Sequence, residues 1–259
     1  MKRITDKIQL WTLDNFVSSD ECSKLIELGY QKGFVASSVQ SNINTKVDPS
    51  HDKGSMKTYA RNSYTSFVGD SEIGNTFINK AKKILNDMKE PFGSIEGLQI
   101  QRYKPGQKYN PHYDSFEDKT GTDQRSWTVM VYLGSGKDTE PLEGGGTLFT
   151  KLDLRIIPKK GTAVIWNNLD SKHCRQQNTM HMGEAVTRGT KYIVTIWFRN
   201  PSGNEYICNK MESFKTHNTG TELSEISSEH SNYVLFIILI LLLITIIYLI
   251  YLYIYKWKN

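Results

Sequence analysis

An α+β fold, in which two N-terminal helices precede a β-rich core of sandwich or barrel type and the chain ends in one transmembrane helix, is what this sequence predicts. Three observations carry it: two early segments with apolar residues spaced three and four apart, a later series of short β-rich runs, and a long uncharged C-terminal stretch. A chain of 259 residues has room for one ordinary domain plus an appendage.

The first sixteen residues, MKRITDKIQLWTLDNF, include basic side chains but no apolar core of the length a secretory signal needs. Nothing there is expected to export the chain, so the domain that follows is expected in the cytosol. In FVSSDECSKLIELGY a serine stands at an N-cap position before Cys22, Leu25, Ile26 and Leu28, which predicts a first helix. Ile73, Phe77, Ile78, Ala81, Ile84 and Leu85 predict a second, with Pro91 as its stop. These helices belong to a support region of helices and strands over 1–96.

From 97 to 200 the pattern changes to LQIQRY, WTVMVYL, GTLF, RIIP, TAVIW and KYIVTIWF, separated by Gly, Pro, Asn and Lys turns. Short strands in such a series predict a sandwich or barrel. Residues 201–232 are polar and rich in Ser, Thr and Asn, and read as a tether. Residues 233–255 carry no charged side chain; at about 1.5 Å per residue they can cross a ~30 Å hydrocarbon layer. Tyr248, Tyr251, Tyr253, Tyr255 and Trp257 gather beside Lys256 and Lys258, as interfacial aromatics do. Those lysines alone favour a cytoplasmic C-terminus, but the missing signal outweighs them, and the expectation is a C-terminally anchored single-pass protein.

The 32 Lys and Arg exceed the 27 Asp and Glu, for a formal charge of +5, yet they are spread along the chain rather than gathered into a stripe, so no nucleic-acid partner is expected. Cys22, Cys174 and Cys208 form neither a disulfide framework nor a zinc pattern and read as ordinary thiols.

NPHYDSF reads by itself as a surface turn or as part of a metal site. His112 and Asp114 stand two apart, so on a strand or its extended end both side chains reach one face. Two histidines and one carboxylate on one face of an iron(II) leave positions open for a bidentate 2-oxo acid and for O₂. The second histidine is His181 or its rival His173, eight residues earlier. The run after His181 favours the former: Lys191, Ile193, Thr195 and Trp197 share one strand face, and a lysine there is either a snorkelling surface group or a buried cation awaiting an anion.

From about Leu13 to Asn200 the chain resembles the prolyl 4-hydroxylases. The likeness is carried in order by LDNFVSSDECSKLI, ARNSYTSF, EGLQIQRYKPGQKYNPHYDSF, WTVMVYL, EGGGTLF, IIPKKGTAVIWNN and MHMGEAVTRGTKYIVTIWFRN. It implies a double-stranded β-helix (jelly-roll) core and an iron(II)- and 2-oxoglutarate-dependent dioxygenase that hydroxylates peptidyl proline, releasing succinate and CO₂, with L-ascorbate as reductant. By position it implies His112, Asp114 and His181 as iron ligands and Lys191 as the partner of the distal 2-oxoglutarate carboxylate. Tyr103, Thr147 and Trp197 match cosubstrate-pocket positions, and Arg61 a substrate-holding one; from the residues alone, Tyr103 and Trp197 read equally as core aromatics, Thr147 as a strand residue and Arg61 as a surface arginine. Two departures bear on substrate choice: Met182 precedes a single Gly183 where the family is glycine-rich, and Gly146 replaces its second acidic residue. The same chemistry on another protein residue, a small molecule or a nucleic-acid base is therefore the alternative, and an inactive membrane-tethered scaffold the third reading.

Overall fold

A computed structural model describes residues 1–37, 61–116, 124–136 and 141–201. The tether beyond 201 and the proposed membrane span at 233–255 lie outside the described residues; among those described, no helix is long and apolar enough to cross a membrane.

Strands β1 (Lys2–Thr5) and β2 (Leu10–Leu13) open the chain, ahead of helix α1 (Ser19–Lys32). Short strands β3 (Val35–Ala36) and β4 (Tyr64–Phe67) lie between it and α2 (Glu72–Asp87). Then come β5 (Gln99–Tyr103), β6 (Tyr109–His112), β7 (Arg125–Gly134), β8 (Glu143–Gly144), β9 (Thr147–Phe149), β10 (Leu154–Ile156) and β11 (Ala163–Asn167). β12 (His181–Gly183), β13 (Val186–Arg188) and β14 (Lys191–Arg199) complete the set. The core is mostly β, with two helices, and each of the six expected β-rich runs holds a strand. Alongside the two expected helices, four strands of 1–96 join the main sheet. They are two to four residues long, too short for an alternation to stand out.

The main sheet runs β1-β2-β11-β7-β14-β5-β4-β3, antiparallel throughout; a second runs β10-β9-β12-β6, and β8 pairs with β13. Strand alternation divides the main sheet into two apolar faces. Val129, Val131, Val194, Ile196 and Phe198 pack with Leu25 and Ile26 of α1 and Phe77, Ala81 and Leu85 of α2. Met130, Tyr132, Val164, Trp166 and Ile193 face the second sheet through Phe149 and Ile156. The helices therefore buttress one side and leave the other for the cleft.

α1 begins where the sequence says it should. Ser18 Oγ accepts from the Glu21 N–H at 3.1 Å and Glu21 Oε2 accepts from the Ser18 N–H at 2.7 Å, a reciprocal capping box. α2 ends before Pro91 can act, because Lys89 adopts φ 59° and reverses the chain. Cys22 is a buried free thiol, but Cys174 is disulfide-bonded, which corrects the reading of three plain thiols. Spacing along the chain does not govern such a bond; Cα separation in the fold does.

Phe77 anchors α2 between Phe16 and the sheet, with its ring edge-on to Phe16 at 5.7 Å. Phe77→Ala should lower stability by about 3–5 kcal/mol, and Ser18→Ala by about 1 kcal/mol. Urea denaturation of the two variants checks the order; a larger loss from the cap would contradict the packing described.

Candidate metal centre

The antiparallel pair β6–β12 sets His112 opposite His181, with ring centroids 4.3 Å apart. β6 is an edge strand, so Pro111, which has no N–H to donate, interrupts no ladder that the sheet requires. Asp114 lies just past the end of β6 in a bend rather than on the strand. Its Oδ1 is 3.7 Å from His112 Nε2 and 3.8 Å from His181 Nε2. One donor atom from each residue falls within 4.8 Å of the others, and no other group of this kind occurs among the described residues.

Both histidines are oriented from behind. His112 Nδ1 donates to the Asn110 carbonyl at 2.8 Å and His181 Nδ1 to the Thr179 carbonyl at 2.9 Å. A carbonyl can only accept, so Nδ1 carries the proton and the Nε2 lone pair faces the cleft, the tautomer a metal ligand needs. Burial, aided by His181, pushes His112 down to about 3, so its imidazole is neutral at pH 7. Burial acts to raise Asp114, but His181, His112, Arg125 and the Trp197 indole together outweigh it and hold the carboxyl below its ordinary value. Asp114 Oδ2 accepts from Thr128 Oγ1 at 2.7 Å, and Thr128 accepts in turn from Asn168 Nδ2 at 2.8 Å. Two imidazoles oriented through Nδ1 and a fixed carboxylate form a donor set that suits an iron(II) ion with open positions.

His173, the rival ligand, sits in the turn after β11 at φ 57° and does not join this cluster. The other expected residues line one cleft of about 890 Å³. Lys191, Ile193, Thr195 and Trp197 all face it, while Tyr192, Val194, Ile196 and Phe198 turn to the helices. Lys191 is 2% exposed, which excludes the snorkelling surface group. Its Nζ lies 5.3 Å from the Tyr103 ring and 5.4 Å from the Tyr132 ring, and it forms no ion pair with a described residue. Burial lowers it to about 7, against a smaller opposing pull from Glu184. Thr147 is buried beside it on β9, with its Oγ1 2.7 Å from the Tyr132 hydroxyl.

Trp197 occupies the opposite end of this strand face, about 20 Å from Lys191 at ~3.3 Å per residue. It pairs across the sheet with Thr128, which places it beside Asp114 rather than Lys191. Arg61 is buried, not a surface arginine: Nε donates to Ser63 Oγ at 2.9 Å and the guanidinium lies 4.7 Å from the Tyr109 ring. Tyr109, which sequence reasoning missed, stacks on His112 with centroids 3.5 Å apart. Thr128 was missed too, although a hydroxyl inside the apolar run WTVMVYL was a visible cue.

Both sequence departures have local explanations. A Cβ on Gly146 would lie 2.5 Å from Glu184 Oε2, so that space already holds a carboxylate, which pairs with Arg155 at 2.9 Å. Met182 has the strand parity opposite to His181, while Gly183 lines the cleft.

Residues 98–199 match the model of the 2OG-Fe(II) oxygenase superfamily. Over 206 residues the chain is 30% identical to Prolyl 4-hydroxylase 5 of Arabidopsis thaliana, covering 71% of this chain and 66% of that relative. It is 28% identical over 202 residues to a putative prolyl 4-hydroxylase of Acanthamoeba polyphaga mimivirus, covering 73% of each. Among solved structures, the viral collagen prolyl hydroxylase of Paramecium Bursaria Chlorella virus-1, in its 2OG complex, superposes with a TM-score of 0.58 at 30% identity, covering 74% of this chain and 96% of that one.

Thr128→Val removes the hydroxyl that fixes Asp114 while keeping its volume. Affinity for a divalent metal should fall by about tenfold or more with the fold retained, as read by calorimetric titration; unchanged affinity would mean that Thr128 does not hold the ligand.

Proposed function

The chain belongs to the prolyl 4-hydroxylases of the 2OG-Fe(II) oxygenase superfamily, and on that premise we propose that it hydroxylates peptidyl proline, consuming 2-oxoglutarate and O₂ and releasing succinate and CO₂. The observation that carries this reading is a buried lysine without an ion-pair partner among the described residues, in the same cleft as a cluster of two histidines and one aspartate. Iron(II) held by His112, Asp114 and His181 would supply the oxidising chemistry; every other task falls to the chain.

Lys191 binds the distal carboxylate of 2-oxoglutarate. A buried cation is costly without an anion, and the dicarboxylate provides one. Thr147, held by Tyr132, and Tyr103 wall the same end, where a hydroxyl can hydrogen-bond the carboxylate and the ring excludes water. Trp197 closes the cleft beside Asp114, and Arg61, gripped by Ser63 and backed by Tyr109, holds the peptide. The two facing sheets are the double-stranded β-helix of the family. L-Ascorbate is the proposed reductant for iron oxidised in unproductive turnovers, and the uncharged segment 233–255 the proposed membrane anchor, with the catalytic domain on the cytosolic side. That relatives at 28–30% identity are named prolyl 4-hydroxylases favours proline over the other substrates considered. The chain spans only 66% of the length of the first plant relative, so the substrate rests on the cleft rather than on the whole of that protein.

The full chain supplied with iron(II), ascorbate and 2-oxoglutarate should release succinate faster with a proline-rich peptide, and the peptide should gain one oxygen atom on proline. His181→Ala should be silent. Succinate release that no proline peptide raises would overturn proline as substrate.

Lys191 also gives a pH dependence of defined sign. In the free protein its pKa is about 7, below the ordinary value. Binding a dianion requires the ammonium, so above pH 7 binding must take up a proton, and affinity falls as pH rises, by up to about tenfold per unit. The KM for 2-oxoglutarate should climb from pH 7 to 9 in the native protein and stay high and flat in Lys191→Met; a flat native profile would contradict the assignment.

A further inference from the structure

The segment that joins α2 to β5 is zipped onto the end of β14. Gly93 N–H donates to the Arg199 carbonyl at 2.8 Å, Arg199 N–H to the Ser94 carbonyl at 2.8 Å, and Glu96 N–H to the Trp197 carbonyl at 2.9 Å. These bonds fix Glu96 at the end of the cleft where Trp197 and Asp114 lie. Its carboxylate, 17% exposed, receives two guanidinium groups. Arg125 grips it in bidentate fashion, Nε to Oε1 at 2.5 Å and a terminal nitrogen to Oε2 at 2.6 Å. Arg199 Nε reaches Oε1 at 2.7 Å.

The Arg125 side chain is thereby laid flat on Trp197, 4.0 Å from the ring centroid, with Phe116 4.9 Å away. Its remaining terminal nitrogen donates to the Asp114 main-chain carbonyl at 3.4 Å. Asp114 lies outside any strand, so no ladder holds its backbone. Thr128 fixes its carboxylate from one side and Arg125 fixes its main chain from the other.

From this geometry we infer that Glu96 is a positioning residue of the metal centre: it restrains Arg125 so that the guanidinium braces the Asp114 main chain instead of capturing the Asp114 carboxylate. The inference rests on His112, Asp114 and His181 being the metal ligands. The physical reason is competition. Arginine stays charged and forms its best pairs with carboxylates in bidentate geometry. With Glu96 neutralised, Arg125 loses its carboxylate partner while lying beside Asp114, and an Arg125–Asp114 pair would take a ligand from the metal and repel a divalent cation. Glu96 gives Arg125 a better-placed partner.

The test is cobalt(II) titration of the metal-free full chain, following its visible absorption, with thermal unfolding to check the fold. Glu96→Gln keeps the volume and loses the charge; it should weaken cobalt(II) binding by about tenfold. Adding Arg125→Gln removes the competitor together with its brace, so it should recover the part of that loss that competition causes and no more, a recovery that a merely structural role for Glu96 would not allow. Cobalt(II) affinity within about twofold of the native protein in a folded Glu96→Gln variant would overturn the inference, since outer-shell partners ordinarily cost tenfold or more. Should Glu96→Gln not fold, Arg125→Lys decides: it keeps a cation for Glu96 but loses the forked donor to Asp114, so weaker binding supports the role and unchanged binding overturns it. No cobalt(II) binding by the native chain would instead overturn the metal-centre assignment, and this role with it.

Discussion

Everything in the cleft depends on one antiparallel register, the pairing of β6 with β12 that sets His112 against His181. Side chains opposite one another on paired strands lie within a few ångströms on the same face, and a slip of one residue would turn one imidazole to the far side of the sheet. The pairing is irregular directly afterwards, where Gly183 faces Tyr109. That irregularity lets Tyr109 stack on His112 although the two are three residues apart, an odd separation that a regular strand would send to opposite faces. A bulge beside a site re-aims side chains, and here it gives His112 an aromatic back.

Around that register the chain arranges charge in layers. The donor set is two imidazoles, each with its proton committed to a backbone carbonyl, and one carboxylate kept ionised by its neighbours. Of the cations that line the cleft, Lys191 and Arg125 are managed differently. Lys191 is left without an ion-pair partner among the described residues and is correspondingly easy to deprotonate, a state that an incoming dicarboxylate reverses. Arg125 is neutralised in place by Glu96 and serves as scaffold. A titratable amine suits a ligand that comes and goes, whereas a permanently charged guanidinium suits a fixed brace.

Much of this could be read from the residues. Helix α1 declares itself through Ser18 and Glu21, and the alternation of KYIVTIWF puts Lys191, Ile193, Thr195 and Trp197 on one strand face, the face that lines the cleft. What could not be read falls into two physical classes. Strands such as Lys2–Thr5 and Val35–Ala36 owe their conformation to pairing with distant segments, not to their own pattern. Supporting residues such as Asn168 and Glu96 act across the fold, where spacing along the chain carries no information. Trp197 shows the limit between the two: its face was legible, but its placement beside Asp114 needed the register with β7.

The central claim is that His112, Asp114 and His181 hold one iron(II) ion and that Lys191 receives the far end of 2-oxoglutarate. The most direct measurement is a crystal structure of the protein grown without oxygen in iron(II) and 2-oxoglutarate, with anomalous diffraction recorded at the iron edge. The account predicts one anomalous peak between the two Nε2 atoms and the Asp114 carboxylate, with 2-oxoglutarate reaching from it to Lys191 Nζ. A peak at other residues, or a 2-oxoglutarate whose distal carboxylate avoids Lys191, would contradict it.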